Sequence, residues 1–151
     1  MAQYLSNELA GTTTGLTQAS AVAAGYKPSA SVYGARTKRL RATINLASQT
    51  TNDTLLLGNL PAGATFAYGV LNATASLGSS TLAIGIAGTT GKYRAAAVFT
   101  STNTPVFFGT AAQAALASPL AAEESVIGTI AVADLPSSGT LVCDLYYSMP
   151  N

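Results

Sequence analysis

Arg39-Leu40-Arg41-Ala42-Thr43-Ile44-Asn45-Leu46 alternates polar and apolar residues without a break. Successive side chains of an extended chain point to opposite faces, so a period of two marks a strand with one face buried. The pattern puts Leu40, Ala42, Ile44 and Leu46 on the core face and sends the arginines and Thr43 the other way. The same texture returns downstream. Asn52-Asp53 and Gly58-Asn59 bracket the apolar run at Leu55-Leu56-Leu57, and Pro61-Ala62-Gly63 then turns the chain, which predicts a short strand and a tight corner. Residues 64–76 continue with β-formers and small residues. Leu77-Gly78-Ser79-Ser80 reads as a hairpin turn into Ser80-Thr81-Leu82-Ala83-Ile84-Gly85-Ile86-Ala87, where Leu82, Ile84 and Ile86 share a face.

Gly88-Thr89-Thr90-Gly91 is the next turn, and residues 92–99 suit helix or strand, since the alanines favour one and the Val-Phe end the other. Pro-Val-Phe-Phe-Gly-Thr at 105–110 reads as a buried strand opened by proline. Residues 111–117, rich in alanine, predict two helical turns stopped by Ser118-Pro119. Two further strands, 124–132 and 140–149, flank the turn at 134–139, the last with Leu141, Cys143, Leu145 and Tyr147 on one face. Short strands at this spacing, with no alternation of strand and helix, predict an all-β antiparallel sandwich or barrel.

Residues 1–35 differ from the rest of the chain. They are rich in Ala, Ser, Thr and Gly and show no period. A turn of helix near Ser6 to Ala10 is all that Gly11, Gly15, Gly25 and Pro28 allow. The expectation is an extended N-terminal arm over 1–35, ordered against a neighbour or else a loose terminus, and a sandwich domain over 36–151.

Composition narrows the function. The chain has 151 residues, about one domain, with 48% apolar and only 9% charged residues and a net charge of +1. Average soluble domains carry roughly a quarter charged residues. A neutral surface kept soluble by Ser, Thr, Asn and Gly favours association with other protein. Lys27, Arg36, Lys38, Arg39 and Arg41 gather five of the seven basic residues in one region, whereas Glu123, Glu124, Asp134 and Asp144 lie toward the C-terminus. With no aromatic stripe among the basic residues, contact with an acidic protein surface is favoured over direct nucleic-acid binding. Apolar runs fall short of the roughly 20 residues a membrane span needs, and the N-terminus lacks the charged and apolar regions of an export signal.

Chemistry is thinly provided for. Histidine is absent and Cys143 is the one cysteine, so a Ser-His-Asp triad, a Cys-His pair and the common zinc sites are excluded, as is an intrachain disulfide. Glu123-Glu124 sends its carboxylates to opposite faces and suits a surface turn better than a catalytic pair. Gly85 to Tyr93 ends in a Gly-Lys-Tyr that lacks the hydroxyl a phosphate loop needs, so a hairpin explains it. Asn52-Asp53 and Asp134 with Ser137 lack the dense oxygen set of a calcium site and read as turn caps. No enzyme, cofactor or metal is expected. Seven tyrosines and no tryptophan make up most of the aromatic set. Tyr4, Tyr26 and Tyr33, three of the seven, fall in the arm, either as anchors onto a partner or tucked back on the sandwich.

Three segments, Asp53-Thr54-Leu55-Leu56-Leu57-Gly58-Asn59-Leu60-Pro61-Ala62-Gly63-Ala64, Ser80-Thr81-Leu82-Ala83-Ile84-Gly85, and Leu135-Pro136-Ser137-Ser138-Gly139-Thr140-Leu141-Val142 followed by Tyr146-Tyr147, resemble a pattern in small virion proteins of tailed bacteriophages. The opening Met1-Ala2-Gln3-Tyr4-Leu5-Ser6-Asn7-Glu8 is similar too, and the main resemblance spans residues 40–148. It implies a jelly-roll-like β-sandwich on capsids or tails, used as a capsid decoration or cement subunit, often a homotrimer, or as a fibre or head-to-tail connector subunit. It carries over no site residues. The expected protein is therefore a structural virion component on the capsid surface, made in the host cytoplasm and bound to the major capsid protein. Its expected contact residues are Tyr4, Leu5, Tyr26, Tyr33, Arg36, Lys38 and Arg39.

Overall fold

The computed structural model describes residues 36–109 and 119–149. These residues form eight strands: β1 (Arg36–Asn45), β2 (Thr54–Leu60), β3 (Thr65–Ala73), β4 (Thr81–Ile86), β5 (Thr89–Val98), β6 (Val106–Phe108), β7 (Glu124–Ala131) and β8 (Thr140–Met149). They form two antiparallel four-stranded sheets, one in the order β1-β8-β3-β6 and the other β2-β7-β4-β5. The pairing is nested. Strand β4 pairs with β5, β3 with β6, β2 with β7 and β1 with β8, as if one long hairpin closed at Ala87-Gly88 were rolled into a sandwich. This is the jelly-roll order, so the expected all-β sandwich holds.

Alternation dictates what lies between the sheets. Leu71, Leu141 and Leu145 from the first sheet meet Leu60, Leu82, Ile84, Val126 and Ile130 from the second, all at or below 1% exposure. Each such side chain contributes about 1.5–3 kcal/mol on leaving water. On β1, Ala42 is buried and Leu40 and Ile44 pack against the core, as the alternation predicts. On β2 alternation buries Leu55 and Leu57 and leaves Leu56 outside, and a bulge between Leu56 and Gly58 then shifts the phase so that Leu60 rather than Asn59 turns in. Phe66 spans the sheets, 4.5 Å from Tyr93 and 6.5 Å from Phe108 between ring centres.

Several expectations change. Leu77-Gly78-Ser79-Ser80 is not a hairpin: β3 and β4 lie in different sheets, and buried Leu77 plugs the end of the sandwich with its N–H on the Phe99 carbonyl at 2.9 Å. The turn after β4 is Ala87-Gly88, with Gly88 at φ +83°, and the ambiguous stretch after it is strand. The strand expected after Pro105 is present but is not buried on both faces. Only Val106–Phe108 pairs, at the sheet edge, with Phe108 inside and Phe107 71% exposed. Glu123 and Glu124 do diverge, but Glu124 opens β7 half-buried rather than sitting in a surface turn. The arm over 1–35, the brief helix near Ser6, and the helical turns at 111–117 lie outside the described residues.

Two contacts explain glycines that the sequence leaves mute. Gly69, opposite Phe108 in the ladder, lets the Phe108 ring lie flat on the backbone, where a Cβ would fall inside the ring. Gly58, at φ +137°, likewise receives the Leu40 side chain between β1 and β2. Replacing Gly69 by alanine forces Phe108 out of the core and is expected to lower stability by about 1–3 kcal/mol, the usual effect of overpacking. Urea denaturation measures it, and Gly69→Ala combined with Phe108→Ala is expected to lose less than the sum of the two single changes.

Candidate functional site

Two ends of the sandwich differ. At one, the chain enters β1 and leaves β8, beside the turns at 61–64 and 87–88. At the other lie the loops 46–53, 74–80, 99–105 and 132–139. That loop end is tied down by backbone bonds, Leu46 N–H to Gly139, Ser48 to Pro136 and Leu135 to Gln49, at 2.9–3.0 Å. Asp53 accepts from the Thr50 N–H and Asp134 from the Thr51 N–H, both at 2.8 Å, so these carboxylates cap turns. Near the opposite end Glu124 accepts from the Lys92 ammonium and from the Tyr93 hydroxyl, the latter at 2.6 Å. Burial first, and then this bond, push the Tyr93 hydroxyl well above its ordinary pKa. The Gly-Lys dipeptide thus serves a strand rather than a phosphate.

The outer face of the β1-β8-β3-β6 sheet is built differently. Register aligns Arg39 with Tyr146 and Tyr146 with Tyr68, and the neighbouring row aligns Arg41, Asp144, Val70 and Phe107. The rings of Tyr146 and Tyr68 stack at 4.7 Å, and Tyr68 stands 5.8 Å from Phe107. An aromatic row therefore crosses three strands. Beside it lies a shallow cleft of about 200 Å³ lined by Arg41, Val70, Asn72, Pro105, Val142 and Asp144.

Arg41 grips Asp144 with two bonds, Nε to Oδ1 at 2.7 Å and Nη2 to Oδ2 at 2.6 Å. The planar guanidinium matches the carboxylate, and register alone brings the two together across 103 residues. The Asp144 side chain is only 9% exposed while that of Arg41 is 51% exposed. The hydrogen bond from Arg41 holds the Asp144 carboxyl below the usual carboxylate range, against the opposing effect of burial. On the inner face of the same strand, burial pushes the Cys143 thiol up to about 12, which keeps it protonated and unreactive.

Of the expected contact residues, Tyr4, Leu5, Tyr26 and Tyr33 lie outside the described residues. Arg36, Lys38 and Arg39 are all exposed at the start of β1. They do not face one way. Alternation sends Arg39 to the outer face beside Tyr146, and Arg36 and Lys38 to the opposite side, where Lys38 Nζ reaches 3.9 Å from Met149 Sδ. Sequence reasoning missed Tyr68, Phe107 and Tyr146 as one row, because their alignment exists only in the register. Among the described residues no cluster of three or more Cys, Asp or Glu forms a metal site, and no helix is long and apolar enough to cross a membrane.

No protein-family model and no curated protein matches the chain. Solved structures do. A chain of the cyanophage Pam1 capsid asymmetric unit superposes with a TM-score of 0.63 at 21% identity, covering 78% of this chain and 88% of that one. A chain of the capsid of Ralstonia phage GP4 gives 0.61 at 22% identity, covering 77% and 86%. The likeness is one of fold.

The ion pair makes a signed prediction about pH. Because the folded pKa of Asp144 is depressed, its contribution is complete above about pH 4 and is lost as pH falls below that. Asp144→Asn is expected to melt below the wild type at pH 7, with the gap closing toward pH 2–3. Arg41→Met is expected to be the more damaging change at pH 7, since it strands a covered carboxylate, whereas freed Arg41 turns to water. Thermal melts of the three proteins across pH 2–7 check both statements.

Proposed function

We propose that this protein is a non-enzymatic structural subunit of a tailed-phage virion, a decoration or cement protein that binds the major capsid protein on the outer surface of the head. The observation that carries the reading is the likeness of the sandwich as a whole to chains of two phage capsid structures, over 88% and 86% of their lengths. A surface poor in charge supports it, because broad contact with a shell then requires little desolvation of ions.

Residues 1–35 supply the reach. Fully extended they span about 120 Å, enough to cross from one subunit onto a neighbour. Tyr4, Leu5, Tyr26 and Tyr33 are its anchors, and Arg36, Lys38 and Arg39 stand where it joins the sandwich. Each copy contributes modest area. Trimeric placement around a symmetric junction multiplies the weak contacts into a tight hold that braces the shell.

Cosedimentation with empty capsids, with light scattering of the free protein, tests this. The full chain is expected to be a trimer that pellets with capsids. Deletion of residues 1–35 is expected to leave a cooperatively folding sandwich that stays in the supernatant. Capsid binding unchanged by the deletion removes the arm from the mechanism, and a full chain that ignores capsids removes the function. Reversing Arg36, Lys38 and Arg39 to glutamate is expected to weaken binding about tenfold or more and to flatten its dependence on salt.

A further inference from the structure

We infer that the cleft on the outer face of the β1-β8-β3-β6 sheet, with Phe107 and Tyr68 at its side, is a binding site for a neutral saccharide. The polar groups there are preset. Each Asp144 oxygen takes one N–H from Arg41 and keeps a second lone pair. Arg41 keeps its Nη1 without a partner among the described residues. Asn72, which lines the same cleft, has a buried amide oxygen with no hydrogen-bond partner, a group that native structures rarely leave unmet. An acceptor, the remaining guanidinium donor and an amide within one small hollow match the adjacent hydroxyls of a sugar, which both donate and accept.

The walls fit the rest of such a ligand. Val70, Val142 and Pro105 are apolar, and Phe107, two residues past Pro105 on the same face, stands 71% exposed with Tyr68 5.8 Å away. A sugar ring has an apolar C–H face that covers an aromatic ring while its hydroxyls turn to the polar floor. Charge selects against the other small ligands. An anion at the free Nη1 also meets the Asp144 carboxylate, and a cation at the free lone pairs also meets the guanidinium, so the neutralised pair favours a neutral ligand. The aromatic row running on to Tyr146 gives space for further sugar units beyond the cleft.

The inference does not rest on capsid attachment, and the isolated full chain tests it. Nitrogen-15 NMR spectra are recorded during titration with glucose, galactose, mannose, rhamnose, N-acetylglucosamine and their short oligomers, with N-acetylneuraminic acid as the anionic control. Saturable shifts at Val70, Asn72, Phe107, Val142 and Asp144 with a neutral sugar are expected, weakened about tenfold by Phe107→Ala and by Asn72→Ala. Phe107→Ala, at an exposed edge position, is expected to leave the melting temperature unchanged, so loss of binding there is not loss of fold. The inference is overturned if no neutral sugar moves these signals, if only the anionic control does, or if Phe107→Ala leaves sugar binding intact. It is equally overturned if Phe107→Ala abolishes capsid cosedimentation with no sugar response, which makes the face a protein contact.

Discussion

The chain doubles back at Ala87-Gly88, and each strand before that turn pairs with its counterpart after it. Every other feature of the sandwich inherits this constraint. Nested antiparallel pairs, once rolled, split into two sheets, because consecutive strands other than β4 and β5 fall on opposite layers. Core composition follows from that split, since each strand then has one face toward the other layer. So does the surface chemistry. Arg41 meets Asp144 because β1 and β8 are the outermost pair of the nest, and Tyr146 meets Tyr68 because β8 lies between β1 and β3.

Among the described residues rolling leaves four edges, and each is blunted by a different means. Strand β1 carries Arg36, Lys38, Arg39 and Arg41, whose charge discourages pairing with a stray strand. Strand β6 is three residues long and follows Pro105. The register of β5 slips twice against β4, and its Arg94 folds back onto the carbonyls of Leu82, Ala97 and Val98. The bulge at Leu56 and Gly58 breaks the regularity of β2. The basic run thus has a structural duty in addition to any contact it makes.

Strand positions were legible in the sequence wherever alternation was clean. Leu40 to Leu46, Leu82 to Ile86 and Leu141 to Tyr147 behave as their periods dictate. What local pattern does not encode is which layer a strand joins. Leu77 to Ser80 has the composition of a hairpin turn, and only the burial of Leu77 between the layers makes it a crossover. Phe107 and Phe108 are adjacent and chemically identical, so nothing in a three-residue strand says which ring goes in; the bare backbone of Gly69 decides it. The outer face was illegible for the same reason, being assembled from residues far apart in the chain, 103 positions in the case of Arg41 and Asp144.

Among the described residues strand β1 has a neighbour on one side only, and its first rung is Arg36 opposite Met149. A pull applied through the segment that precedes Arg36 therefore meets the sandwich at the outermost rung of an edge ladder. Drawn away from the sheet, β1 peels, breaking its bonds to β8 one after another; drawn along its own axis, it loads the whole ladder in shear at once. The direction of tension, more than its size, then decides whether the domain acts as a rigid fastening or as a fuse. In the proposed attachment to a shell, sideways drag on the segment selects the first and an outward lift selects the second.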